Sequence, residues 1–422
     1  MSLSADRKAI VSWALYDFAN SPFTTLVVTF VYATYFTETI APSSIEGTAL
    51  WGYAITATAI IVALGSPVLG AFADQGGYRK RFLVIATLIS ALSTALLFGI
   101  MPGQVMAALI IFVIANVAYE YAGVFYNAYL PDLTTSANIG KVSGWGWGLG
   151  YLGGLLALGV ALLTLVMPET PWFGISAENG ENVRATNLLV AVWFLVFSLP
   201  LILWVRGYDG GRKSGAGVAR RSFAQLAGTL REIRQHKETV KFLIARLVYN
   251  DGLVTIFAFG GIYAAGTFGF TVEQVLVFGI VINLAAGAGA IAMGYVDDWL
   301  GARQAIIISL LGLISAATIG IFASNAAWFW VAGIIIGIFS GPNQAASRSL
   351  MGRYVPDGME NEFFGFFAFS GKLTAFVGPL ALGIVTDVSD SQRVGMAVVI
   401  VMFVLGLLLL INVREPEARS LE

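Results

Sequence analysis

The chain has 422 residues and not one cysteine. That excludes disulfides, thiolate zinc sites and cysteine nucleophiles, and it leaves the redox compartment open. Histidine is nearly absent too. The single His236 lies in a polar segment with no nucleophile turn nearby, so no Ser-His-Asp triad is built on it. No cluster of metal-ligating residues and no intramembrane histidine is present, so the expectation is no metal, no cofactor and no enzymatic activity. Charged residues make up only 12% of the chain and hydrophobic residues 57%. Soluble domains run at about 25% and about 45–50%. An apolar excess of that size requires lipid as solvent. The net charge of -1 gives no electrostatic case for nucleic acid.

What is present is a series of long apolar runs. Hydropathy resolves about twelve segments, at roughly 10–39, 49–73, 81–101, 104–130, 141–166, 186–206, 239–266, 272–296, 304–323, 327–349, 362–386 and 392–412. Each can cross a core of about 30 Å at about 1.5 Å per residue. Continuous runs without ten-residue alternation favour helices over a barrel. The N-terminal MSLSADRKAIVSWALYDFANSP puts Asp17 and Asn20 where a signal peptide would have its apolar core, so it reads as a retained first helix. With the N-terminus inside, the inner loops collect Arg79, Lys80, Arg81, Lys141, Arg212, Lys213, Arg353 and most other basic residues, and the outer loops hold Arg184 and Arg393. By the positive-inside rule both termini are cytoplasmic.

The chain divides at 207–237 into halves 1–206 and 238–422. The divider opens with GYDGGRKSGAGVARR, a flexible basic linker. It continues into SFAQLAGTLREIRQHKE, with Phe223, Leu226, Leu230 and Ile233 on one helical face. That pattern fits an amphipathic helix at the inner leaflet. The halves echo one another: Gly70, Asp74, Gly77 and Arg79 align with Gly294, Asp298, Gly301 and Arg303, all 224 positions apart.

Polar residues inside the spans mark a candidate pathway, because an ionisable group at membrane depth costs several kcal/mol unless it meets a cavity, a partner or a proton. Glu120 sits mid-helix, on one stripe with Asn116 and Asn127. The first span carries Asp17, Asn20, Ser21 and Thr24 on one face. The seventh has Arg246, Asn250 and Asp251, the tenth Asn343, Gln344, Ser347 and Arg348, and the eleventh Lys372. Arg246 and Asp251 are about 140° apart round their helix and do not pair directly. Gly341-Pro342 can interrupt the tenth helix and free carbonyls over a cavity. A layer with both charge signs suits a zwitterion, with carboxylates for an ammonium and Arg246 or Lys372 for a carboxylate. Proton coupling needs a buried carboxylate that can change its protonation, and Glu120 is the first candidate, followed by Asp17 and Asp251.

Two other patterns carry nothing. Gly148, Gly150 and Gly153 spell GxGxxG inside an apolar span, where helix packing explains them. Gly365 to Lys372 has the wrong glycine spacing for a phosphate loop, and Leu373 stands where Ser or Thr should be.

The loop holding Gly70, Asp74, Gly77 and Arg79 resembles the signature loop of the major facilitator superfamily. SWALYDFANSPF (12–23), FYNAYLPDLT (125–134), VSGWGWGLGYLGGLL (142–156), QAASRSLMGRYVP (344–356) and EFFGFFAFSGKLTAFVGPLALGIV (362–385) resemble its vacuolar amino-acid effluxer-like, autophagy-related branch in a bacterial-type form. The resemblance implies an all-α membrane protein with twelve transmembrane helices in two pseudo-symmetric six-helix bundles. It implies secondary transport of a small polar or zwitterionic, amino acid-like solute by alternating access, with protons as a coupling ion. It places the cavity on the first, fourth, seventh and tenth helices. Asp74, held by Arg79, would meet the start of the eleventh helix, and Asp298 the start of the fifth. The expected partners are a small-molecule substrate, protons and the lipid bilayer of a bacterial cytoplasmic membrane, with the monomer as the working unit. Competing readings on the same fold are an exporter of lipids, peptides or drugs, and a non-transporting sensor or scaffold.

Overall fold

The computed structural model describes residues 7–205, 217–231 and 235–416. The basic linker around Arg212 and Lys213, together with Ile233 and Arg234, lies outside the described residues. Eleven described helices are long and apolar enough to cross a membrane: Ser44–Gly76, Arg79–Gly99, Val105–Leu133, Ile139–Val166, Glu178–Trp204, Lys237–Phe268, Glu273–Leu300, Ala302–Phe322, Ala326–Tyr354, Glu360–Ser389 and Gln392–Leu410. We number these spans 2 to 12. Span 1 completes the set. It winds as an α-helix over Arg7–Pro22, loosens into π turns at Phe23–Phe30 and Phe36–Ile40, and has a short α segment, Val31–Tyr35, between them. Pro22, which cannot donate a backbone hydrogen bond, stands where the winding changes.

The twelve spans form two groups of six. In the first half, span 1 packs on spans 5 and 6, and span 4 on spans 2 and 3. In the second, span 10 packs on spans 8 and 9, and span 12 on spans 7, 9 and 11. The halves meet along two seams, span 2 against span 11 and span 5 against span 8. Both seams are built of small residues, which let backbones approach where lipid gives no hydrophobic drive between helices. A side chain at Gly70 would strike the backbone of Asn361, and one at Gly365 the backbone of Ser66 and Pro67. At the other seam Gly144 faces the carbonyl of Ala290, and Gly294 faces Gly140 and Lys141. The glycines of the GxGxxG pattern belong to the same packing: Gly148 faces Ile291, while Gly150 and Gly153 let span 1 close on span 5.

Two helices depart from the sequence reading. Span 10 runs unbroken through Gly341 and Pro342 from Ala326 to Tyr354. Pro342 leaves the carbonyl of Ile338 without its helical donor, and Gly289 of span 8 packs against that carbonyl instead. The interruption falls in span 11, which is read from sequence as continuous. It is an α-helix over Glu360–Lys372, turns at 373–376, and resumes as Val377–Ser389. Pro379 cannot donate to the carbonyl of Ala375, so the helix restarts just before it.

The helix Val218–Arg231 lies against span 2. Phe223 meets Phe72 edge-on at 5.7 Å, and Gln225 bonds to Gln75 of span 2 and Glu362 of span 11. The end of the molecule where spans 2–3, 4–5, 8–9 and 10–11 are joined carries Arg79, Lys80, Arg81, Lys141, Arg303 and Arg353. It is called the basic end below.

Overpacking a glycine contact tests this close packing. Gly341 of span 10 abuts the carbonyl of Ala286 with no room for a side chain. Gly341→Val is expected to destabilise the protein by about 1–3 kcal/mol, read as a lowered melting temperature in detergent; an unchanged melting temperature would contradict the packing.

Candidate functional site

At the basic end, each half sends a carboxylate to a helix start of the other. Asp74, at the end of span 2, accepts from the backbone N–H of Asn361 (3.2 Å) and Glu362 (2.8 Å), and from the Asn361 side chain (2.6 Å). Asp298, at the end of span 8, accepts from the N–H of Gly140 (2.7 Å) and Lys141 (3.1 Å) at the start of span 5. Helix N-termini present free amides and a partial positive charge, so both contacts are favourable in the same way. Gly77 ends span 2 in the left-handed conformation at φ 65°, which turns the chain toward Arg79. Arg79 donates to Asp132 and, across the seam, to Glu360 at 2.8 Å. Arg303 is not its counterpart. It caps the end of span 12, donating to the carbonyl of Ile411 at 2.7 Å. The counterpart is Arg353, which pairs with Asp297 (2.6 Å) and Glu415 (3.3 Å) and donates to Ser136 of the other half (3.4 Å).

Deeper in the bundle, Arg348 of span 10 reaches into the first half. Its guanidinium donates to Asp17 (2.8 Å), Asn127 (3.3 Å), the hydroxyl of Ser143 (3.0 Å) and the carbonyl of Ser143 (2.7 Å). Its carbon lies 4.7 Å from the ring centre of Trp13. Gly146 makes the approach possible, because a side chain there would meet Asp17, Arg348 and Trp13. The Arg348 side chain is 4% exposed, so every donor that finds an acceptor offsets a desolvation cost. A second cross-bundle pair joins Lys372 of span 11 to Glu120 of span 4 at 2.6 Å. That pair is more open, with side chains 33% and 21% exposed.

The remaining polar residues read from the sequence fall in three places. Asn20 and Asn116 are buried on spans 1 and 4. Span 7 directs its polar residues at span 11: Arg246 donates to the carbonyl of Phe367 (2.8 Å) and the hydroxyl of Ser370 (2.9 Å), Asn250 to the carbonyl of Gly371 (3.2 Å), and Asp251 accepts from the N–H of Gly378 (3.1 Å). Gln344 reaches Asn250 at 3.4 Å. Asn343 turns away from the interface and donates to Ser309 of span 9 at 3.0 Å.

A cavity of about 550 Å³ is lined by spans 1, 5 and 8, with Val183 of span 6. The four helices named by the resemblance do not share it; span 1 alone takes part. Spans 4, 7 and 10 are drawn to neighbouring helices by Arg348 with Asn127, Tyr249 with Ser347 (2.8 Å) and Gln344 with Asn250. The open space lies beside the π turns of span 1, where Thr24, Thr25, Phe30, Val31 and Thr34 form its wall. Trp147, Tyr151, Leu155 and Leu162 face them from span 5, and Ile280 and Asn283 from span 8.

Arg353, Asp132 and Glu360 were passed over in the sequence, and Arg348 was noted there without its partner. A signal for the first group exists: YLPDL at 129–133 recurs as YVPDG at 354–358, so the ends of spans 4 and 10 repeat as the ends of spans 2 and 8 do. Ser143, a partner of Arg348, carries no mark that distinguishes it from other helix serines.

The chain matches the family described as vacuole effluxer Atg22 like over residues 39–420. It is 28% identical over 414 residues to an uncharacterized MFS-type transporter, YxiO, of Bacillus subtilis, covering 96% of this chain and 95% of that one. It is 23% identical over 397 residues to autophagy-related protein 22 of Coccidioides immitis, covering 76% and 64%. Among solved structures, the proton:xylose symporter XylE superposes with a TM-score of 0.76 at 14% identity, covering 98% and 97%. The human organic anion transporter MFSD10 does so with 0.76 at 15%, covering 96% and 99%. The chain therefore belongs to the Atg22-like family and is a multi-pass transporter of the major facilitator superfamily.

Removing Arg348 would strand Asp17. Arg348→Ala is expected to cost about 3–5 kcal/mol, because a buried partner is left uncompensated. The double variant Asp17→Asn, Arg348→Gln should recover part of that loss. Thermal unfolding in lipid nanodiscs checks both, and equal stability of Arg348→Ala and the parent would refute the assignment.

Proposed function

We propose that this chain is a secondary active transporter that moves a small zwitterionic solute of the amino acid class by alternating access, driven by a proton gradient. Its working unit is the monomer, two six-span bundles (1–206 and 238–422) joined by the connector 207–237. The positive-inside rule assigns the basic end and both termini to the cytoplasm of a bacterial cell. The cytoplasmic side is then closed by Asp74, Asp298 and Arg348, and the cavity beside span 1 is on the outward side.

The observation that carries the reading is the Glu120–Lys372 pair, a partly open bridge between the two bundles. A zwitterion fits such a bridge by inserting into it, with its ammonium on Glu120 and its carboxylate on Lys372. One ion pair becomes two, and the bundles part by the width of the solute. The solute thus binds one arrangement of the bundles better than the other, which is the condition for a ligand to shift a conformational equilibrium. Asp74 on the start of span 11 and Asp298 on the start of span 5 oppose that shift. Each contact of this kind contributes about 0.3–1 kcal/mol, up to about 2 when partly buried. These magnitudes let binding energy outweigh them. Gly70, Gly77 and Arg79 hold the Asp74 contact in register.

A second reading has its own observation. The wall formed by Phe30, Val31, Leu155, Leu158, Leu162 and Ile280 is largely apolar, which suits a lipid-like, peptide or drug-like solute entering beside span 1. A sealed sensor or scaffold has no use for that cavity.

Uptake and efflux by proteoliposomes, scanned across amino acids and amphiphilic compounds with and without a pH gradient, separate these readings. Glu120→Gln and Lys372→Ala should each weaken solute binding by about 2–5 kcal/mol, more than about tenfold in Kd. Fully gradient-driven amino acid transport by Glu120→Gln would refute the assignment of Glu120.

A further inference from the structure

Span 7 and the break in span 11 together form a feature that the solute does not explain. Arg246 and Asn250 hold the carbonyl end of Glu360–Lys372 by three hydrogen bonds. Asp251 holds the amide end of Val377–Ser389 by one, from Gly378. The charges follow the half-helix dipoles: Arg246 meets the Phe367 carbonyl and the Ser370 hydroxyl near one helix end, and the Asp251 carboxylate meets the Gly378 amide at the start of the other. Arg246 is further engaged by the ring of Phe367, at 3.6 Å. Asp251 is less provided for. It is 3% exposed in the middle of its span, its Oδ1 is buried without a hydrogen-bond partner, and among the described residues it forms no ion pair.

Among the described residues the surrounding elements supply no countercharge. On its own span Arg246 turns to Phe367 and Ser370. On span 11, Lys372 is bridged to Glu120, and Asp387 lies nine residues beyond Gly378. Span 12 presents Met402 and Phe403 and has no ionisable side chain between Arg393 and Arg414. On span 10, Arg348 is committed to Asp17. Span 8 has no Asp, Glu, Lys, Arg or His between Glu273 and Asp297. The hydroxyl of Thr255 donates to the backbone carbonyl of Asp251 at 2.7 Å, so it does not serve the carboxylate. Gly378 is closely packed at this point: a side chain there would meet Thr255, the Asp251 carbonyl and Met402. A lone carboxylate at membrane depth is most simply neutralised by a proton.

We propose that Asp251 is the proton-binding carboxylate of this carrier, and that its protonation loosens the half-helix Val377–Ser389 from span 7. The proton comes from water and adds to the carboxylate, with no other covalent change. The charged carboxylate caps the half-helix through Gly378; the neutral acid caps it weakly, because charge-assisted hydrogen bonds are about twice as strong as neutral ones. The bend at 373–376 then lets the second half of span 11 move while Arg246 and Asn250 keep the first half in place. This inference rests on the transport reading above, and moves the coupling proton from Glu120 to Asp251.

Infrared difference spectroscopy of the solute-free protein in lipid, titrated in pH, tests it. Parent protein should show a protonated-carboxyl band that grows as pH falls. The band should be lost in Asp251→Asn and retained in Asp251→Glu and Glu120→Gln; a band unchanged in Asp251→Asn overturns the proposal. Hydrogen exchange over 373–380, corrected for the intrinsic pH dependence, should be faster at low pH in the parent and fast at every pH in Asp251→Asn. No dependence on pH in the parent also overturns it. Neither readout needs a solute, so both stand whether or not transport is found. Solute exchange without a pH gradient tests the transport reading separately, and its absence in the parent protein would defeat that reading alone.

Discussion

Arg348 crosses from one half of the molecule into the other, and while the halves are together its charge is met by groups of the opposite half. A guanidinium taken out of water loses several kcal/mol of hydration, which must be regained from hydrogen bonds and an opposite charge. Here the regaining groups, Asp17, Asn127 and Ser143, all belong to the opposite half. The same holds for Lys372 with Glu120. The apolar faces of the two halves would be equally content against lipid, so hydrophobicity does not decide how the halves sit. Charge does, because lipid cannot take it.

The repeat between the halves extends to some of these contacts and stops at others. Asp74 and Asp298 occupy equivalent positions and do equivalent things, each capping a helix of the other half. In the carrier reading, symmetric contacts of this kind define an axis about which the halves rock. Arg348 and the Glu120–Lys372 pair have no counterpart: the recurrence of YLPDL as YVPDG sets Arg348 across from Gly123 on span 4, and the equivalent helix starts at Gly140 and Asn361 set Lys372 across from Tyr151 on span 5. In the carrier reading, residues that break the symmetry are free to fit a solute that has none. Span 11 is broken and span 5 is not, which follows the same division.

Much of this was legible in the sequence. The spans show because each is a long apolar run, and the partners of Asp74 and Asp298 show because a carboxylate near a repeated helix start has an evident use. Arg79 was harder. Its charge is visible, but its carboxylates, Asp132 and Glu360, come from the ends of two other spans, and no local pattern joins them. Gly341-Pro342 reads from the sequence as able to interrupt a helix, and the break occurs before Pro379. The two prolines are chemically alike. What differs is the neighbour: Gly289 of span 8 packs on the freed carbonyl at 338 and keeps span 10 straight, while span 7 meets span 11 with Asn250 and Asp251, which bind the two broken ends. The position of the cavity was illegible for a related reason, since it depends on where span 1 loosens into π turns.

The strength of the closing contacts is bounded from both sides in the carrier reading. Reversing a population from 1:99 to 99:1 requires about 5.5 kcal/mol of differential binding. Contacts much stronger than that would hold one state against any small solute, and contacts much weaker would leave the pathway open at both ends. Helix-start contacts of about 0.3–2 kcal/mol each fall in the usable range. A buried ion pair that simply came apart would not, since an uncompensated partner costs about 3–5 kcal/mol. Asp17 and Arg348 must therefore find new partners, water or solute, as they separate. A carboxylate and a cation at the foot of an opening cleft can be hydrated as the cleft forms, and this places the pair on a wetting surface rather than in a permanently dry core.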